Sequence, residues 1–179
     1  AILICHGYTN HHHALDKDVG WFNNLMGPRK AIDINKYFVI CSNMLGSSFG
    51  TTGPKSIYDK TNKPYGSNFP KIINLDIINA QKHLVESLKI KKLHAALGYS
   101  FGGHLVYLWA TEFPDSLCKV VSIAGSLDRW DVTKEKIELI VYYNQKYFCN
   151  LYVPLPHRNE LYCFVIKPVL TFYLNVHII

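Results

Sequence analysis

The sequence Gly98-Tyr99-Ser100-Phe101-Gly102 places a serine midway between two glycines, directly after the apolar run 93–97 and at the start of an amphipathic stretch. A serine on a sharp strand-to-helix turn has its hydroxyl aimed out of the sheet, at the positive end of the following helix. Such a turn needs small residues two positions before and two after, which Gly98 and Gly102 supply, while Gly103 allows close helix packing. The chemistry this suits is nucleophilic attack on an acyl carbon by Ser100, and the competing reading is a plain helix-capping serine. His6-Gly7-Tyr8 closes the first apolar run and is the second part of the constellation. Acyl transfer passes through a tetrahedral oxyanion, and two fixed backbone N–H donors there are worth about 2.7–4 kcal/mol each. The expected donors are Phe101, which follows the serine, and Tyr8; the bland alternative for His6-Gly7 is a strand-ending turn.

Other residues invite chemistry less well. His104 lies one helical turn after Ser100, so its side chain runs along the helix and not toward the serine hydroxyl. His11-His12-His13 are consecutive, so their side chains diverge, and no Cys, His or acidic pair lies at ligand spacing; no metal is expected.

The elements that must position these residues can be read from periodicity. Runs 1–5, 37–41, 93–97 and 120–124 are short and apolar without alternation, as in strands buried on both faces of a parallel sheet. Two helical patterns separate the last three runs. One spans 69–88, with Pro70 in its first turn and an apolar face of Ile73, Ile77, Ala80, Leu84 and Leu88. The other spans 101–113, with Leu105, Leu108, Trp109 and Phe113 on one face and Pro114 as its stop. Strands alternating with helices predict an α/β layer fold around a mostly parallel sheet. Residues 46–68, rich in Gly, Ser, Thr, Pro and Asn, are expected as one long loop.

Composition narrows the function classes. With 49% apolar and 18% charged residues, the chain is globular and not disordered. The net charge of +6 is scattered, with small knots at Lys89/Lys91/Lys92 and Lys134/Lys136 that are too small for a nucleic-acid footprint. A basic surface would steer an anionic acyl carrier such as coenzyme A. The five cysteines make no CxxC pair; Cys5, Cys41 and Cys118 adjoin apolar runs and are expected as small buried hydrophobes in a reducing compartment. Lys167 and Pro168 interrupt the longest apolar stretch, so no membrane span is expected.

The segments Gly20-Trp21-Phe22, Met26-Gly27-Pro28, Lys30-Ala31-Ile32-Asp33 and residues 37–43 resemble the homoserine O-acetyltransferase family. Leu45-Gly46, Thr52-Gly53-Pro54, Ser56-Ile57, Lys63-Pro64-Tyr65-Gly66, Phe69-Pro70, Asp76 and Ala80-Gln81 carry the likeness on to the serine turn. The resemblance covers residues 1–126. It implies an α/β-hydrolase fold, here with the first and C-terminal strands missing. It also implies acetyl transfer from acetyl-CoA to the hydroxyl of homoserine through a Ser100 acyl-enzyme. Further implications are a place in methionine biosynthesis, a cytoplasmic location, no bound cofactor, and no nucleic-acid or membrane partner, with a homodimer left open for the full-length family. Related members use succinyl donors or serine as acceptor.

In this family the triad carboxylate and then the histidine follow the nucleophile far downstream, beyond a helical lid. Only 79 residues follow Ser100, and Asp115, Asp128, Asp131, His157 and His177 sit in no matching motif. The chain is therefore expected to be a fragment: residues 1–126 a partial core, residues 127–179 a divergent tail, and the polypeptide itself inactive. The alternatives are a serine esterase of the same fold and a truncated, non-catalytic product.

Overall fold

The computed structural model describes residues 1–47, 49–125 and 163–164. Its main sheet has the order β2-β1-β5-β6-β7. These strands are β1 (Ile2–Cys5), β2 (Val39–Cys41), β5 (Ala95–Tyr99), β6 (Val120–Ile123) and β7 (Cys163–Phe164). The first four are parallel, with Leu3 opposite both Ile40 and Ala96, and Leu97 opposite Val121. The tail contributes β7, which pairs antiparallel with β6; the rest of the 127–179 expectation lies outside the described residues.

β1 lies inside the sheet between β2 and β5, and all four of its residues are buried. Because side chains alternate across a strand, Leu3 and Cys5 enter one core while Ile2 and Ile4 enter the other. The first core is closed by α1 (Asn74–Ser87) and α2 (Phe101–Glu112), with Ile78, Val85, Leu105 and Trp109 almost wholly inaccessible. Each such aliphatic side chain contributes roughly 1.5–3 kcal/mol by leaving water. The second core is closed by the irregular segment between β1 and β2, which brings Ala14, Met26 and Ile32 onto Ile2 and Ile4, with Trp21 and Phe22 behind them. That segment is held by side-chain bonds. Trp21 Nε1–H donates to the His11 carbonyl at 2.8 Å, and the Asp33 carboxylate accepts the Arg29 and Asn35 N–H groups at 3.0 Å each. Those two N–H bonds, the Arg29 one foremost, hold the Asp33 carboxyl below its ordinary range.

Several boundaries differ from expectation. α1 begins at Asn74 and not near Pro70, because the Asp76 carboxylate accepts the Ile73 N–H at 2.9 Å and fixes the first turn there. Its buried stripe is Ile77, Ile78, Gln81 and Val85, whereas Ile73, Ala80 and Leu88 are exposed. Gln81 displaces the expected apolar phase because its Oε1 accepts the Trp109 indole N–H at 2.8 Å, between the two helices. The loop 46–68 contains a short antiparallel hairpin, β3 (Ile57–Tyr58) with β4 (Lys63–Pro64), and a 3₁₀ turn at Gly66–Asn68. The strand before the serine runs from Ala95 to Tyr99, two residues later than the apolar run; Leu93 instead bridges Leu117. Cys5 is buried and Cys41 half-buried, but Cys118 is exposed, since Leu117 takes the inward position beside it. On the outer side of β2, Phe38 is 61% exposed beside an open groove of about 410 Å³ lined in part by Ala14, Met26, Tyr37 and Cys41. No helix among the described residues is long and apolar enough to cross a membrane.

Candidate active site

Ser100 stands between β5 and α2 with φ 54° and ψ −120°. A non-glycine residue in that sparsely populated region costs of order 1–3 kcal/mol and persists only where the surroundings fix it. Here both of its backbone polar groups are fastened: Ser100 N–H donates to the Ile123 carbonyl at 2.8 Å, and its own carbonyl accepts the His104 N–H at 3.2 Å. β6 and the first turn of α2 thus hold the strained turn from two sides. The side chain is exposed, and among the described residues no hydrogen bond involves its hydroxyl.

The flanking glycines are steric necessities. A Cβ at Gly98 would fall on the Gly102 carbonyl, and one at Gly102 would fall on the Cys5 carbonyl at the end of β1. A Cβ at Gly103 would come within 2.8 Å of Ser122 Oγ and 2.9 Å of Gly125 Cα. The start of α2 therefore rests directly on the end of the β1 backbone, on the Ser122 side chain of β6 and on Gly125 just beyond it. Its first turn carries no acidic residue, so the positive end of the helix is not neutralised from within.

The loop after β1 lies beside this turn. A Cβ at Gly7 would meet the Tyr99 ring at 3.1 Å, and the Tyr8 ring packs edge-on against Phe101 with centroids 6.1 Å apart. Residues 7 and 8 thus face residues 99 and 101 on either side of Ser100, and Tyr8, 79% exposed, forms the outer rim. This is the neighbourhood in which the Tyr8 and Phe101 N–H groups were expected to act together.

His6, read from sequence as part of the oxyanion-hole loop but given no role for its side chain, is completely buried. Its Nδ1–H donates to the Gly7 carbonyl at 2.8 Å, and its Nε2 accepts the Met44 N–H at 3.3 Å. Burial lowers its pKa, the Gly7 bond opposes that, and the nearby His11 and His12 add to the lowering.

Other candidates fall elsewhere. His104 is buried, with Nε2 facing Asn74 Nδ2 at 3.3 Å and its ring stacked on Phe101, so it is a packed helix residue. His12 Nδ1 accepts from the Asn43 amide and His13 Nδ1 approaches the Asp16 carboxylate at 3.5 Å. Among the described residues no cluster of three His, Cys, Asp or Glu is placed to hold a metal. Asp115 lies in the 3₁₀ turn beyond the far end of α2, about 18 Å of helix from the serine. Asp128, Asp131, His157 and His177 lie outside the described residues. Burial raises the Cys5 thiol pKa and pushes Cys41 up to about 12, so neither competes as a nucleophile.

The sequence profile of the alpha/beta hydrolase fold matches residues 1–157. Among curated proteins, a homoserine O-acetyltransferase from Pasteurella multocida (strain Pm70) is 48% identical over 130 residues, covering 71% of this chain and 36% of that protein. One from Methanosphaera stadtmanae is 48% identical over 129 residues, covering 69% of this chain and 26% of that protein. Among solved structures, esterase E22 superposes with a TM-score of 0.68 at 36% identity, covering 72% of this chain and 39% of that one. The homoserine O-acetyltransferase from Bacillus anthracis does so with 0.66 at 37% identity, covering 70% and 37%. The chain spans about a quarter to a third of the length of the curated relatives it matches.

Proposed function

Because this chain belongs to the alpha/beta hydrolase fold family and its curated relatives are homoserine O-acetyltransferases, we propose that it is the nucleophile-bearing part of such an acyltransferase in amino-acid biosynthesis. The observation that carries the reading is the fastened, strained backbone of Ser100 at the start of α2. The Ser100 oxygen attacks the acetyl carbonyl of acetyl-CoA, and its proton passes to a general base. The tetrahedral oxyanion faces the Tyr8 and Phe101 N–H groups, and coenzyme A leaves as its thiol after taking the proton. The homoserine hydroxyl then attacks the acetyl-serine, giving O-acetylhomoserine and free Ser100. The reaction needs no bound cofactor and is placed in the cytoplasm.

The base and its orienting carboxylate are assigned to positions outside the described residues. General acid–base catalysis contributes typically 10²–10⁴-fold, so a polypeptide in which no base reaches Ser100 turns over at trace rates. The likeness to esterase E22 favours a second reading, in which water takes the acetyl group. Product analysis separates the two: with acetyl-CoA and homoserine supplied, O-acetylhomoserine should outrun acetate. Acetate alone, at a rate indifferent to homoserine, would give the esterase reading.

A further inference from the structure

The His6 ring ties the loop after β1 to the loop after β2. Nδ1 has a carbonyl as its partner, so it carries the proton, and Nε2 faces the Met44 N–H, so it offers its lone pair. The ring is therefore the neutral Nδ1–H tautomer, set by both partners. Met44 is itself tied down, since its carbonyl accepts the Thr51 hydroxyl at 2.8 Å. A continuous path thus runs from Thr51 through Met44 and His6 to Gly7.

The consequence lies in the Gly7–Tyr8 peptide. Its carbonyl accepts two bonds, from His6 Nδ1–H at 2.8 Å and from the Asn10 N–H at 3.0 Å. The described peptides are all trans, so the Tyr8 N–H points opposite to the Gly7 carbonyl within one rigid plane. Holding that oxygen against the His6 ring turns the Tyr8 N–H away from it. The loop packs on Tyr99 and Phe101, and the first turn of α2 sits on the Cys5 and His6 carbonyls, so this plane is anchored beside Ser100.

We propose that His6 is a positioning residue for the oxyanion-binding loop, its Nδ1–H setting the direction of the Tyr8 N–H. The inference rests on the assignment of Tyr8 as a hole donor. It does not depend on which acceptor takes the acyl group, because acylation by p-nitrophenyl acetate serves a transferase and an esterase alike.

Two measurements test it. Nitrogen-15 NMR of the His6 ring at neutral pH should show the neutral Nδ1–H form; an Nε2–H tautomer or an imidazolium would overturn the proposal without any variant. The second divides the two bonds. His6→Asn places an amide N–H where Nδ1 stands and keeps the Gly7 bond, while His6→Gln reaches only toward Met44. Acylation by p-nitrophenyl acetate should fall about 10²-fold in His6→Gln, as when one hole donor is removed, and within tenfold of wild type in His6→Asn. Thermal unfolding of both variants reports the structural effect separately. Equal loss in the two variants, or loss that tracks unfolding temperature, would refute a positioning role.

Discussion

Gly102→Ala puts the close seating of α2 on β1 to a quantitative test. The added Cβ would fall on the Cys5 carbonyl oxygen and within 2.6 Å of the His6 carbonyl oxygen. Both obstacles are backbone, and β1 is hydrogen-bonded to β2 and β5 on its two sides, so neither can rotate away as a side chain could. Two opposing effects set the outcome. Alanine in place of glycine favours a helix by up to about 1 kcal/mol, and less in the first turn. Overpacking a fixed site costs typically 1–3 kcal/mol, and the upper end applies when backbone meets backbone. The net expectation is destabilisation of about 2 kcal/mol, read as a lower urea midpoint with unchanged slope. Acylation of Ser100 should fall as well, because relief of the clash moves the serine turn away from the Gly7-Tyr8 loop. A variant as stable as the parent, or more stable, would refute the close seating.

Other outcomes follow from the same geometry. Ser100→Ala should abolish labelling by a fluorophosphonate probe, and label that persists would overturn the nucleophile assignment. Gln81→Leu strands the buried Trp109 indole N–H, which should cost about 1–3 kcal/mol in urea unfolding; a neutral effect would mean that the indole finds another partner. His6 has a folded pKa below its ordinary 6.5, so protons bind the unfolded chain more readily. Its contribution to stability should be complete above pH 6.5 and decline as pH falls below that value toward the folded pKa, and His6→Asn should remove this part of the pH dependence. Asp33 adds a second decline, beginning below its ordinary 3.8, which Asp33→Asn should reduce.

How far the sequence announced this structure can be judged from particular residues. The serine turn was legible because the two glycines and the apolar run before them answer to a single local requirement, and the structure shows that requirement as backbone contacts. The four parallel strands were legible because burial on both faces leaves short, mainly apolar runs without alternation. α1 was misread where one polar residue is buried: Gln81 counts against an apolar face until its partner Trp109, 28 residues away, is seen to satisfy it. Cys118 was misread because the apolar run beginning at Val120 says nothing about which way a residue two positions before it faces. The His6 ring was missed because its two partners, Gly7 and Met44, are backbone groups, and one lies 38 residues away; no pattern of residue types records that bond.

The most direct test of the central claim is to map the acetyl group after exposure to p-nitrophenyl acetate. Its leaving group departs without a proton, so loading makes little demand on a general acid, and a long exposure lets Ser100 load even at the trace rate expected where no base reaches it. Peptide mass spectrometry should find acetyl on Ser100, absent in Ser100→Ala, and homoserine should discharge it as O-acetylhomoserine faster than water discharges it as acetate. Acetyl found only on other residues, or on none, would contradict the account.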